Sequence, residues 1–559
     1  MLSHTPCVGI HEQHNSNAPS TTLGEWHMTT YYTADKIFTG QDETTFATAF
    51  AVEDGHFTWV GEARDLPSGV DVVVLNGPVL PGFLDVHTHA TLVANFVNAV
   101  ACTVPVVTDI PSLIAALRAH PNTGAGASTW IEGWGYDESK LAEHRTPTRH
   151  DLDLVSTTQP VYVQRSDCHS GICNTRALEL AGIDASTPDP EGAAFGREAD
   201  GVTPNGILIE HGANQRVLQA KGSAGFDADA RALAATTRHF AERGIVGITD
   251  MFCIPTRYDH RDLFRAAQQE GLRQSARIYY DFATIQVHPI RPIIEQDKVG
   301  RVAVAGIKLF ADGAISNRTG WMRTPYKGSS NECGMSTAPT SLMQAALSYA
   351  RQYGLQIAFH AMGDRAIESL VDFFGDLDPW LTDVPSVRIE HASIMDPALI
   401  QRIHEARMNF GVVTNVDFLY AEYDSYSENL TESQLACAYP VRDEFDVLEN
   451  LALASDCPAT TWADPDDVFM SIHAAVNRTA YNGAPINHAQ AITVEQAVLL
   501  YTGKARTLLD FPQLGSIEPG KEASFITVSQ DIFSEPTELI KDTVVTNTWI
   551  QGDSIYCRA

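Results

Sequence analysis

The sequence predicts an α/β protein whose main body is a (β/α)8 TIM-type barrel, joined to a small β-sandwich domain built from both chain ends and to an inserted subdomain. Three observations predict it. From Pro81 to about Phe511, short apolar runs alternate with segments of helical period, and alternation over that length argues for a parallel sheet with helices outside it. Polar residues stand at the ends of those runs, where such barrels build their sites. No Gly-rich phosphate loop follows the first run, which weighs against an open doubly wound sheet. At 559 residues the chain exceeds what one core can organise, so two or three domains are expected.

Residues 1–28 are polar, with Ser3-His4-Thr5-Pro6 and Asn15-Ser16-Asn17-Ala18-Pro19. They lack the charged start and apolar centre of a signal peptide and read as a flexible leader. Residues 29–80 hold strand-like pieces at 36–39, 45–47 and 57–61, separated by Gly and Asp turns, and residues 512–559 hold three more at 524–528, 544–550 and 554–556. Neither set could bury a face alone, so the two are expected to form one composite domain. The barrel then spans 81–511. Within it, about 100–243 is less periodic; a structureless loop of that length is implausible, and it is read as early barrel elements plus the inserted subdomain.

Later barrel elements are cleaner. Gln356–His360 is a short apolar run, followed by a helix opened at Asp364 with Ile367, Leu370, Val371 and Phe374 on one stripe. Ser386–His391 is the next run, and Asp396-Pro397 supplies an N-cap and an N1 proline for the helix after it. Asn409–Thr414 and Leu451–Asp456 are further strands, and Thr493-Val494-Glu495-Gln496 is a capping box.

Composition excludes some classes of partner. With 38 basic and 69 acidic residues the net charge is −31, so nucleic acid and anionic membranes are not expected partners. No stretch approaches the roughly 20 apolar residues of a membrane span. Nine scattered cysteines suit reduced thiols and a cytoplasmic setting. A homodimer is the expected form of any assembly.

The chemistry gathers at strand ends. His87 and His89 follow the first apolar run, and residues two apart on a strand face one way. Neutral imidazole is the commonest nitrogen ligand for zinc. Lys308, His360, His391 and Asp456 close four later runs. Any one of these is more often a cap or a satisfied polar group than a ligand. Six in this order, all at one barrel mouth, point to a metal centre. For substrate contacts the candidates are Trp134, Tyr136, Arg165 and His169 in the insert, and Asp312, Arg318, Trp321 and Tyr326 after Lys308.

The stretches Pro81–His89, Lys308–Ala314, His360–Ala366, Arg388–Ala392, Ala454–Pro458 and Gly515–Lys521 resemble the metal-dependent amidohydrolase superfamily. Within it the chain looks most like the branch of N-substituted formamide deformylases. It departs from the pattern at Cys457-Pro458, at Ser524 and around Asn415–Tyr420. The resemblance implies one or two divalent metal ions, zinc being expected, with His87 and His89 on the more buried ion. His360 and His391 would hold a second ion or orient substrate, and Asp456 would carry a proton from water to the leaving nitrogen and also reach the metal. A plain ammonium has no lone pair, so Lys308 would have to be carboxylated, or neutral, or set back from the ion. The implied reaction is hydrolysis of the C–N bond of a small N-acyl or N-formyl amide. Cyclic amide or imide hydrolysis and deamination on the same site are alternatives, and a catalytically idle regulatory or binding protein is a third reading.

Overall fold

A computed structural model describes residues 29–97, 99–166, 170–190, 193–222 and 225–558; the expected leader, 1–28, lies outside them. The barrel strands, in order, are Phe83–Asp85, Ile245–Cys253, Ser275–Asp281, Val302–Phe310, Gln356–Ala361, Val387–His391, Phe410–Thr414 and Leu451–Leu453. All seven neighbouring pairs are parallel. The seam between the first and eighth strands is held at one end. Ser455 donates from its hydroxyl to Asp85 at 2.5 Å, and the Asp456 amide donates to the His87 carbonyl at 2.7 Å. The ring is thereby nearly closed.

Strands covered on both faces read as continuous apolar runs, and Val387–His391 is buried throughout. The helix Asp364–Phe374 buries Ile367, Leu370, Val371 and Phe374 against the sheet, its N-cap being Gly363 rather than Asp364. Asp396 caps Pro397–Glu405 by accepting the Leu399 amide at 2.8 Å, and Thr493 and Gln496 cap Val494–Leu499 reciprocally.

The stretch between the first two barrel strands contains no barrel strand among its described residues. Its apolar runs pair with one another in a separate six-stranded sheet between Val100 and Ile209, with its own core around Leu113, Ile131, Val163 and Ile172. The early barrel elements expected there reduce to two helices, Ala90–Phe96 and Phe226–Glu242.

Both chain ends enter one eight-stranded sheet. The expected β-sandwich is hydrogen-bonded as one continuous sheet, in which Val79–Pro81 joins the two halves by pairing on one side with Ile37 and on the other with Phe525–Thr527. Phe525 stacks on Trp549 at 4.5 Å and meets Phe50 edge-on at 4.9 Å, which gives this sheet its own apolar centre.

Behind the seventh strand, Glu444 is fully buried on the helix Val441–Val447. Burial, only partly offset by Arg478, raises its carboxyl to about 8. An acid that stays protonated in the fold and ionises in the unfolded chain makes stability fall as pH rises from its unfolded value, about 4.3, toward its folded value. Urea unfolding is therefore expected to favour Glu444→Gln increasingly from pH about 5 to about 8, by about 1.4 kcal/mol per unit. Parallel pH profiles for the two proteins would refute this.

Candidate active site

His87 and His89 lie in the bend just past the first strand, and Asp456 three residues past the eighth. Bend and strand end converge. The Nε2 atoms of His87 and His89 stand 3.2 and 2.8 Å from one oxygen, Asp456 Oδ1. Lys308 and His360 lie within two residues of the C-terminal ends of the fourth and fifth strands, and His391 ends the sixth. Lys308 Nζ is 3.5 Å from His87 Nε2. The His391 ring lies 4.8 Å from that of His87 and 4.5 Å from that of His360. All six residues predicted for the metal centre thus meet at one mouth.

Backbone conformation helps to gather them. Consecutive strand residues normally face opposite ways, yet Glu390 and His391 both serve the cluster. His391 and Ala392 have positive φ, 69° and 44°, and Asp456 has φ 53°. Non-glycine residues in this region are uncommon, and such conformations gather at functional sites.

Partners on the outer side fix the tautomers. His87 Nδ1 donates to Glu390 Oε2 at 2.6 Å, leaving a lone pair on Nε2. His391 Nδ1 donates to Asn415 Oδ1 at 3.1 Å, and the amide of Asn415 is itself oriented by donating to the Ala454 carbonyl at 2.7 Å. His360 Nε2 donates to the Gly313 carbonyl at 3.0 Å, leaving its lone pair on Nδ1. Burial, with Lys308 nearby, holds His360 down at about 4, and burial lowers His391 well below the usual range, so both rings are neutral. Burial works against the Asp456 carboxylate, but His87 and His89 outweigh it and hold its pKa far down. Burial also lowers Lys308 to about 8.

This donor set fits a divalent cation. With a cation placed between them, His87 Nε2 and Asp456 Oδ1, 3.2 Å apart, would both bind it through lone pairs. His87, His89 and Asp456 offer ligand atoms all within 4.8 Å of one another. The outer carboxylate on His87 is the arrangement that orients metal-binding imidazoles. Glu390 is in turn held by Arg388 at 2.7 Å, both fully buried; Arg388 and His87 outweigh burial and lower Glu390 to about 2.

A cavity of about 1380 Å³ opens onto the cluster, lined by both barrel loops and the insert. The predicted substrate contacts fare unevenly. Arg165 lines it, tied to Glu138 at 3.0 Å. Trp134 does not: it packs on Phe96 at 5.8 Å, on the insert's own sheet. Tyr136 is buried in the insert's core. Asp312 reaches the cavity wall, but its two oxygens accept the backbone N–H groups of Trp321, Met362 and Gly363 at 2.8, 3.0 and 2.8 Å, so it braces loops instead of facing substrate. Arg318 is drawn off the cavity by Asn429 at 2.8 Å and Glu332 at 3.2 Å. Trp321 lies partly buried beneath Arg365, and Tyr326 is buried, donating to the Gly320 carbonyl at 2.7 Å. His169 lies outside the described residues.

Sequence reasoning assigned no role to Glu390 or Asn415. The signal for Glu390 was available: Arg388-x-Glu390 puts two opposite charges on one face of a buried strand.

The sequence profile of the amidohydrolase family matches residues 76–556. The chain belongs to that family, and it is a hydrolytic enzyme acting on carbon–nitrogen bonds. It is 25% identical to the N-substituted formamide deformylase of Arthrobacter pascens, over 92% of this chain and 95% of that one. It is also 25% identical to the protein LONG AFTER FAR-RED 3 of Arabidopsis thaliana, over 93% and 90%. The crystal structure of an uncharacterised metal-dependent hydrolase from Pyrococcus horikoshii OT3 shares its fold, with a TM-score of 0.70 at 21% identity over 91% of this chain and 99% of that one. Among the described residues, no helix is long and apolar enough to cross a membrane, and none of the seven cysteines there is in a disulfide.

Proposed function

We propose that the enzyme hydrolyses the C–N bond of a small N-acyl or N-formyl amide, using one or two divalent ions held by His87, His89 and Asp456 with Lys308, His360 and His391. One observation carries the reading: two imidazole nitrogens and a carboxylate oxygen converge at 2.8 and 3.2 Å, with the Glu390 carboxylate holding His87 from its outer side. Zinc suits a histidine-rich set of this kind.

A bound divalent ion supplies Lewis-acid polarisation and makes hydroxide available near neutral pH. The chain does the rest. Asp456, kept ionised by its histidines, takes a proton at its carboxylate and returns it to the leaving nitrogen. His360 and His391 spend their N–H groups on Gly313 and Asn415, so they act through their lone pairs and not as acids toward substrate. Lys308 has its pKa lowered by burial, so part of it is uncharged near neutral pH, the form whose Nζ would add carbon dioxide, releasing a proton, to give a carbamate with oxygens able to hold a divalent ion.

Elemental analysis of wild type and Lys308→Ala tests this. Two ions per chain, falling to one or none in the variant, is the expected result. One ion in both proteins would place Lys308 outside the coordination sphere. Protein that neither retains nor takes up a divalent ion would sink the reading.

A further inference from the structure

The loop that carries Asp456 is fastened at both ends. At the near end the Cys457 carbonyl accepts the His89 amide at 2.9 Å and the Thr88 hydroxyl at 3.0 Å. Local hydrogen bonds then stiffen the chain: the Ala459 amide donates to the Asp456 carbonyl at 2.8 Å, the Thr460 hydroxyl to the Ser455 carbonyl at 3.0 Å, and the Trp462 amide to the Thr460 carbonyl at 2.8 Å. At the far end Asp467 caps the helix Val468–Asn477 by accepting the Phe469 amide at 3.0 Å. Just before it, Asp466 turns inward, its side chain 1% exposed.

The partners of Asp466 come from the end of the helix Phe226–Glu242. His239 and Arg243 stand four residues apart and so share one face, and the helix dipole favours cations there. His239 Nε2 is 2.5 Å from Asp466 Oδ2, and Arg243 Nε is 3.6 Å from Asp466 Oδ1. Arg243 also pairs with Asp464, and Glu242 with Arg238 at 2.9 Å. Burial works against the Asp466 carboxylate, but His239 and Arg243 outweigh it and hold it at about 2. Arg243 stays charged at any ordinary pH. His239 is different: its side chain is 30% exposed, so its proton can pass to solvent. Burial lowers the ring's pKa, but Asp466, with a smaller push from Glu242, outweighs burial and Arg243 and raises it above the ordinary 6.5.

Resting on the hydrolase reading above, we propose that His239 is a positioning residue for Asp456: as an imidazolium it clasps Asp466, and with it the Asp456 loop, to the helix Phe226–Glu242, and on losing its proton it loosens that clasp. The charged pair is complete below pH about 6.5 and is lost as pH rises through the value His239 has in the fold. A neutral ring keeps a hydrogen bond to Asp466 but not the charge, and such bonds are about half as strong.

Zinc titration against a competing chelator, on wild type and His239→Gln at matched pH, tests this. Glutamine can still donate to Asp466 but never carries charge. Asp467, which burial raises to about 6, and Lys308 titrate in both proteins, so they cancel in the ratio of affinities. Wild type is expected to bind zinc about fivefold more tightly than the variant at pH about 6, and within about twofold of it at pH about 9. With an amide that is turned over, the ratio of kcat is expected to follow the same course at unchanged KM, because the clasp places the proton carrier and not the substrate. His239→Lys keeps its cation throughout, so its zinc affinity relative to wild type is expected to rise over that range; it serves if the first variant does not fold. A ratio that does not change with pH overturns the proposal, even where His239→Gln is less stable in urea, because a merely structural tie does not make the metal centre follow this proton. Amide turnover with a flat ratio leaves the hydrolase reading standing. The expected zinc profile with no turnover of any amide supports the clasp and overturns the hydrolase reading instead.

Discussion

Asp456→Asn is expected to lose about 10³- to 10⁴-fold in kcat/KM toward amides, the upper part of the range for a lost proton carrier. Its carboxylate is the one group touched by both histidines of the first strand's bend, at 3.2 and 2.8 Å. An amide nitrogen or oxygen fills the same space but cannot accept the proton. Metal content of the variant separates two roles. Loss of rate with metal retained makes Asp456 the proton carrier, whereas loss of both makes it chiefly a ligand. Activity within tenfold of wild type would remove it from the mechanism.

Glu390→Gln carries the second large effect, from a residue that need not touch substrate. Zinc affinity is expected to fall about 10- to 100-fold, because the carboxylate that orients His87 is lost. Stability is expected to drop by about 3–5 kcal/mol, because Arg388 is left fully buried without its anion. Zinc titration against a competing chelator measures the first, and urea unfolding the second. A variant with normal affinity and normal stability would contradict the assigned role. A stability loss alone would make the Arg388–Glu390 pair structural.

The barrel was readable because its strands are short apolar runs ending in chemistry. Lys308, His360 and His391 close such runs, and they are singled out by their order together with the resemblance, not by any one position. His87, His89 and Asp456 were readable too, although they lie in bends past their strands, because their residue types and order survive the irregular backbone. The inserted sheet was harder. Its runs, such as Val161–Arg165, have the same apolar character as barrel strands, and only the pairing partner tells one sheet from the other. Substrate contacts were the least legible. Arg318 and Asp312 look like recognition groups in a list of residues, but whether a polar side chain faces a cavity or a backbone amide is decided by partners far away in the chain, here Asn429 and Met362. Trp134 fails for the same reason: its strand alternation could place it inward or outward, and packing on Phe96 chose.

The sheet shared by the two chain ends sets a timetable for biosynthesis. Strand Thr30–Phe38 leaves the ribosome early, but Val79–Pro81 beside it has no partner on its second edge until Phe525–Val528 has been made. Nor can the first barrel strand close against Ser455 and Asp456 until those residues emerge. At roughly 5–20 residues per second, the nascent chain spends tens of seconds with an open edge and a half-barrel, a state that invites aggregation and calls for chaperone cover. For most of that interval His87 and His89 lack Asp456, so the three converging side chains cannot gather until the last fifth of the chain is being made.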